Sequence, residues 1–130
     1  MKISKLLSKV LTFLVAIFLV SSQIQVWAAD KDYVLNTAST GGTYHPVGTA
    51  IATLTKVKLL PKQKFSLTAV NSAGSGANVQ ALGAKTADFA ILQGLYGSYA
   101  ATGTGPISEP QKNLRSVTML WQNVEQFLVA

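Results

Sequence analysis

The chain has 130 residues, eleven Lys and Arg against five Asp and Glu, one His and no Cys. Without Cys there is no disulfide and no thiol chemistry, so the core must hold by packing alone. The formal charge of +6 overstates the case for a polyanionic partner, because Lys2, Lys5 and Lys9 fall in an N-terminal segment expected to be removed, leaving eight basic residues against five acids.

That segment has three parts in order. Lys2, Lys5 and Lys9 form a positive start, Val10 to Val20 an apolar run of eleven residues, and Ser21 to Gln25 a more polar stretch before Val26-Trp27-Ala28-Ala29. This is the pattern of a secretory signal peptide, with Val26 and Ala28 suited to the small pockets of the peptidase. The apolar run is short of the roughly 20 residues that span a bilayer. Residues 1–28 are therefore expected to be cut off after Ala28, with Ala29 as the second choice. With no Cys to acylate, the product is expected to be released into the periplasm. Residues 29–130, about 100 in number, suit one domain.

Tyr33 to Asn36 reads as a short buried strand, followed by the small-residue loop Thr37 to Thr43. Pro46 suits the first turn of a helix, and Val47, Ala50, Ile51 and Leu54 then repeat at helical spacing. Lys56 and Lys58 complement the negative helix end, and Pro61 is expected to close the segment. Lys56, Lys58, Lys62 and Lys64 cluster without interleaved aromatics, which reads as a solvated helix end and loop, not a nucleic-acid surface. Phe65 to Val70 alternates as a second strand. The loop Asn71 to Gly76 follows, then a helix starting near Asn78 and weakened at Gly83. Ala87 to Leu92 is the third strand, Leu95 to Ala101 a short helix and 102–113 a surface loop. Leu114 to Trp121 reads as a fourth extended segment and 126–130 as a further strand.

The order β-α-β-α-β implies an α/β fold with a parallel sheet and flanking helices. In such sheets ligands bind outside the carboxyl ends of the strands. Ser39–Tyr44, Asn71–Asn78 and Gln93-Gly94 all fall at that edge. The first two lead into helix N-termini, whose N–H groups and dipole favour a carboxylate or phosphate. Ordinary capping, with Ser75 as N-cap, is the competing reading of either loop alone. No Gly-Lys-Ser/Thr follows the glycines, so this is not a nucleotide loop, and Gly41-Gly42 lacks the third glycine of a dinucleotide site. One His, no Cys and scattered acids do not suggest a metal site, and no cofactor is expected. His45, beside Pro46, reads as a rim or structural residue. Tyr44, Tyr96 and Tyr99 suit either a pocket lining or half-buried packing.

Four stretches carry a resemblance. They are Thr40-Gly41-Gly42-Thr43-Tyr44-His45-Pro46-Val47-Gly48, Asn71 to Val79, Ala87 to Gln93, and Asn113-Leu114-Arg115-Ser116-Val117. In order and spacing they resemble the TAXI-type solute-binding subunits of TRAP (tripartite ATP-independent periplasmic) transporters. The resemblance implies a type II periplasmic-binding fold, no catalysis, and a small carboxylate or amino acid such as glutamate as ligand. It also implies the integral membrane subunits of the transporter as partners. Carried over by position, the ligand-binding residues are Gly42, Thr43 and Tyr44, then Ser72, Gly74 and Ser75, then Gln93. His45 departs from the family, which has Tyr there. Family members are well over twice as long, so 29–130 is expected to be a first lobe only, truncated at the C-terminus. The other readings are a secreted serine hydrolase using Ser72 or Ser75 with His45, a non-functional fragment, and a small exported protein that self-pairs through its open sheet edge.

Overall fold

A computed structural model describes residues 30–122. The expected signal peptide and the expected strand at 126–130 lie outside the described residues. The elements are β1 (Lys31–Asn36), α1 (Tyr44–Leu54), a π-helical turn (Thr55–Leu59), α2 (Leu60–Gln63), β2 (Phe65–Val70), α3 (Ser75–Gly83), β3 (Phe89–Ala90) and α4 (Gly94–Thr102). The three strands form one parallel sheet in the order β2-β1-β3, as the β-α-β-α-β pattern predicts.

Alternation along the strands builds the core. Tyr33 and Leu35 lie beside Leu67 and Ala69 in register, and Leu35 lies beside Phe89. Leu35, Leu67 and Ile91 bury against Ala52 of α1, with Ile51 packed around them. Toward the strand starts, the ring of Tyr33 meets those of Phe65 and Phe89 at 5.2 and 5.9 Å. A second cluster, Val79, Ala100 and Ile107 with Leu92, Tyr99 and Leu114, joins α3, α4 and the segment after α4. At the outer edge of β2, the Leu67 N–H donates to the buried Thr55 hydroxyl at 2.9 Å, so an amide that would be left open on an edge strand is capped by the π turn.

Three elements depart from expectation. The first helical segment does not close at Pro61. The Leu60 N–H bonds the Thr55 carbonyl five residues back, and Pro61 then stands at the start of α2. A wider π turn before Pro61, and a first-turn position where no N–H is needed, let the helical path continue past it. Lys64 ends it in the left-handed region, φ 56°.

The third strand is shorter than Ala87–Leu92. The Val34 N–H is met by the Asp88 carboxylate at 2.9 Å, a side chain in the place of a ladder carbonyl. Single backbone bonds flank Phe89–Ala90, from Asp88 N–H to the Val34 carbonyl and from Ile91 N–H to the Asn36 carbonyl.

Leu114 to Trp121 joins no strand. Its path is set by side chains. The Gln111 N–H bonds the Ala100 carbonyl at 2.7 Å, Leu114 enters the second cluster, and Trp121 reaches the Tyr44 ring at 5.7 Å. Between those anchors Val117 and Met119 stay exposed.

Candidate functional site

Parallel strands followed by helices bring three helix N-termini to the carboxyl edge of the sheet. None of α1, α3 and α4 has a side-chain cap. Their first-turn N–H groups therefore have no partner within the helix and carry the positive end of the helix dipole. Ser75 is not the N-cap that the sequence suggests. Gly74 takes that place at φ 100°, ψ −163°, a conformation that a side chain disfavours, and Ser75 is the first helical residue.

A buried polar network holds the three strand ends together. Thr37, just past β1, is fully buried. Its N–H and hydroxyl both donate to the Val70 carbonyl, at 2.9 and 2.8 Å. Its carbonyl accepts from the Ser72 hydroxyl at 3.1 Å and from the Asn78 amide at 2.8 Å. The same Asn78 nitrogen donates to the Ile91 carbonyl at 2.8 Å. Two carbonyl partners fix that atom as nitrogen. Asn78 Oδ1 is then left buried without a donor among the described residues, an arrangement that costs about 1–3 kcal/mol. The Gln93 N–H donates to the Ser75 hydroxyl at 2.9 Å, tying the end of β3 to the start of α3.

The candidate residues therefore divide. Ser72 gives its one proton to Thr37 and accepts from the Gly74 N–H at 3.1 Å, so it is part of the frame. Ser75 accepts from the Gln93 N–H, and its hydroxyl donates no hydrogen bond among the described residues. Thr43 is exposed, while Gly42, Tyr44 and Gln93 are half-buried around the same edge. Tyr96 lies over Gly76, where an added Cβ would stand 3.3 Å from its ring.

His45 does not pair with either serine. Its Nδ1 lies 3.2 Å from the Thr37 hydroxyl. That hydroxyl also donates to the Val70 carbonyl at 2.8 Å, so the imidazole is held against the buried frame. The Ser–His pair that a hydrolase requires is not formed.

A cavity of about 340 Å³ lies elsewhere, between α3 and residues 106–111, lined by Val79, Gln80, Gly83, Ile107 and Glu109 among others. It contains none of the strand-end residues. The strand-end loops are the better candidate, because all three uncapped helix ends lie along that edge.

Thr37 and Asn78, the centre of the frame, carry no sequence signal for that role. A Thr after a strand and an Asn in a first turn read as ordinary loop and capping residues.

A family model described as the NMT1-like family matches residues 35–130. The match starts within β1 and spans all three strand-end loops. The family is a solute-binding one. No curated protein matches the chain.

Proposed function

Because the chain belongs to the NMT1-like family, we propose that it is the extracytoplasmic solute-binding subunit of a TRAP-type transporter of the TAXI kind. It captures a small carboxylate or amino acid, glutamate-like in size, for uptake driven by an ion gradient through the integral membrane subunits. The observation that carries this reading is the convergence of three uncapped helix N-termini on one sheet edge. Backbone N–H groups of the first turns receive the carboxylate, the Ser75 hydroxyl donates to it, and Gly42 and Gly74 keep the backbone approachable. Thr43, Tyr44 and Gln93 line the approach, and Ser72 holds the first two loops in place. The described residues act as the first lobe, and no bond of the ligand is made or broken. The chain works in the periplasm after cleavage following Ala28.

Calorimetric titration with a panel of small carboxylates and amino acids, L-glutamate and glutarate among them, and with glutaramide, the neutral diamide of glutarate, tests the reading. A carboxylate of the panel is expected to bind and glutaramide is not. Binding of glutaramide as tight as that of the carboxylates, or no binding across the panel, sinks it. N-terminal sequencing of the exported protein checks the cut after Ala28.

A further inference from the structure

The segment from Tyr44 to Gln63 contains no Asp or Glu. On its outer side, Leu54 and Val57 stand one turn apart and are 59 % and 61 % exposed. Lys56, Lys58 and Lys62 are exposed around them. The neighbouring acids are spent on other groups. Asp32 accepts from Ser66 and Thr68 at 2.8 Å each and lies near Lys56, whose ammonium donates to Thr68 at 3.2 Å. Asp30 pairs with Lys64 at 3.5 Å. Lys58 and Lys62 make no ion pair among the described residues.

We propose that this ridge, Leu54 and Val57 flanked by Lys58 and Lys62, docks the protein peripherally on an anionic phospholipid surface. Two exposed branched side chains insert at the headgroup boundary, while the long lysine stems let their ammonium groups reach lipid phosphates. Charge selects the occupant. An isologous contact between two copies would set Lys58 and Lys62 against the same residues of the partner, which repels. The ridge also leads away from the site. α2 ends at Lys64, whose carbonyl accepts from the Lys31 N–H at the start of β1, so the strand-end loops at the opposite edge stay open during docking. The inference does not depend on the identity of the solute.

The Cys-free sequence allows a clean test. A Val57→Cys variant of the full chain carries an environment-sensitive fluorophore, and Gly41→Cys, at the opposite edge with open space around it, serves as control. With vesicles of phosphatidylglycerol the probe at 57 is expected to shift to the blue, and the probe at 41 is not. Neither shifts with phosphatidylcholine. The apolar run at 10–20 is common to every variant, so the comparison with the two lysine changes separates its contribution from that of the ridge. Adding Lys58→Gln and Lys62→Gln is expected to weaken the response about 25-fold, at about fivefold per lysine near an anionic surface. Circular dichroism verifies that the variants remain folded. A probe at 57 that stays silent on phosphatidylglycerol overturns the proposal and leaves an acidic protein as the occupant. Equal shifts on both lipids, or a response indifferent to the two lysine changes, overturn it as well.

Discussion

The two halves of the sheet are held by different means. β1 and β2 pair along six residues each, and α1 with its π turn covers both the face and the outer edge of that pair. β3 contributes two ladder residues, and its end is held by the Asn78 amide and the Ser75 hydroxyl. The first half is therefore a β-α-β unit paired along its whole length, to which Ile91 and Phe89 add core contacts from the second. The second is pinned to it by a few buried polar side chains, and those pins stand at the candidate site. The comparison teaches that the binding edge is built where backbone pairing is thinnest. Loops that must meet a ligand are ordered there by side chains.

Removing the central pin should have the largest effect. Asn78→Ala leaves the Ile91 carbonyl without its side-chain donor, takes one of two donors from the Thr37 carbonyl and opens a cavity, and even after relief of the orphaned Oδ1 the net cost is expected to be about 2–3 kcal/mol, read by denaturant unfolding. Hydrogen exchange sharpens the comparison. Amides at 91–97 are expected to lose protection before those of β1 and β2, whereas simultaneous loss would mean that the halves are one unit.

The next effect tests the junction between the halves. A Cβ on Gly48 would overlap the Thr37 methyl group, so Gly48→Ala is expected to cost about 2 kcal/mol through overpacking. Adding Thr37→Ser removes that methyl, keeps the hydroxyl and should recover much of the loss. Failure of the double variant to recover would show that the strain lies elsewhere.

Thr55→Val acts on the first half alone. It leaves the Leu67 N–H unpaired on the sheet edge and should cost about 1 kcal/mol, with more aggregation in light scattering. Protection at 91–97 is expected to remain as in the native chain.

The smallest effect concerns Asp32. The Ser66 and Thr68 hydroxyls, with a smaller contribution from Lys56, hold its carboxyl below the ordinary value of 3.8. A depressed folded value means that the stabilisation is complete above that ordinary value and is lost as pH falls below it, through the folded value. Asp32→Asn should flatten this acid limb in melts below about pH 4 while leaving neutral stability nearly unchanged, because the group is solvent-exposed. An unaltered acid limb would show that the contacts do not act on the carboxyl.

Much of the fold was legible in the residues because local rules decide it. Alternation in Phe65–Val70 and the apolar run at Tyr33–Asn36 specify strands, the spacing from Val47 to Leu54 specifies a helix, and the glycine loops between them imply the parallel order. The site was legible in outline for the same reason, since helices entering from parallel strands put Ser39–Tyr44, Asn71–Asn78 and Gln93 at one edge. Individual roles were not legible. Ser72 and Ser75 look equivalent in the loop, yet one hydroxyl is consumed by Thr37 and the other donates no hydrogen bond among the described residues.

By itself, then, the sequence determined the α/β class, the parallel strand succession and the edge where the loops gather, because these follow from periodicity and glycine placement within a few residues. Only the tertiary structure decided that the helical path survives Pro61, that 114–121 joins no strand, and that Thr37 and Asn78 form the frame of the site. Each of these depends on a partner distant in sequence: the Leu67 amide on Thr55, Ala100 and Tyr44 on the 111–121 segment, Val70 and Ile91 on the two buried side chains. Hydrogen-bond satisfaction across the fold selects among local conformations that are otherwise close in energy.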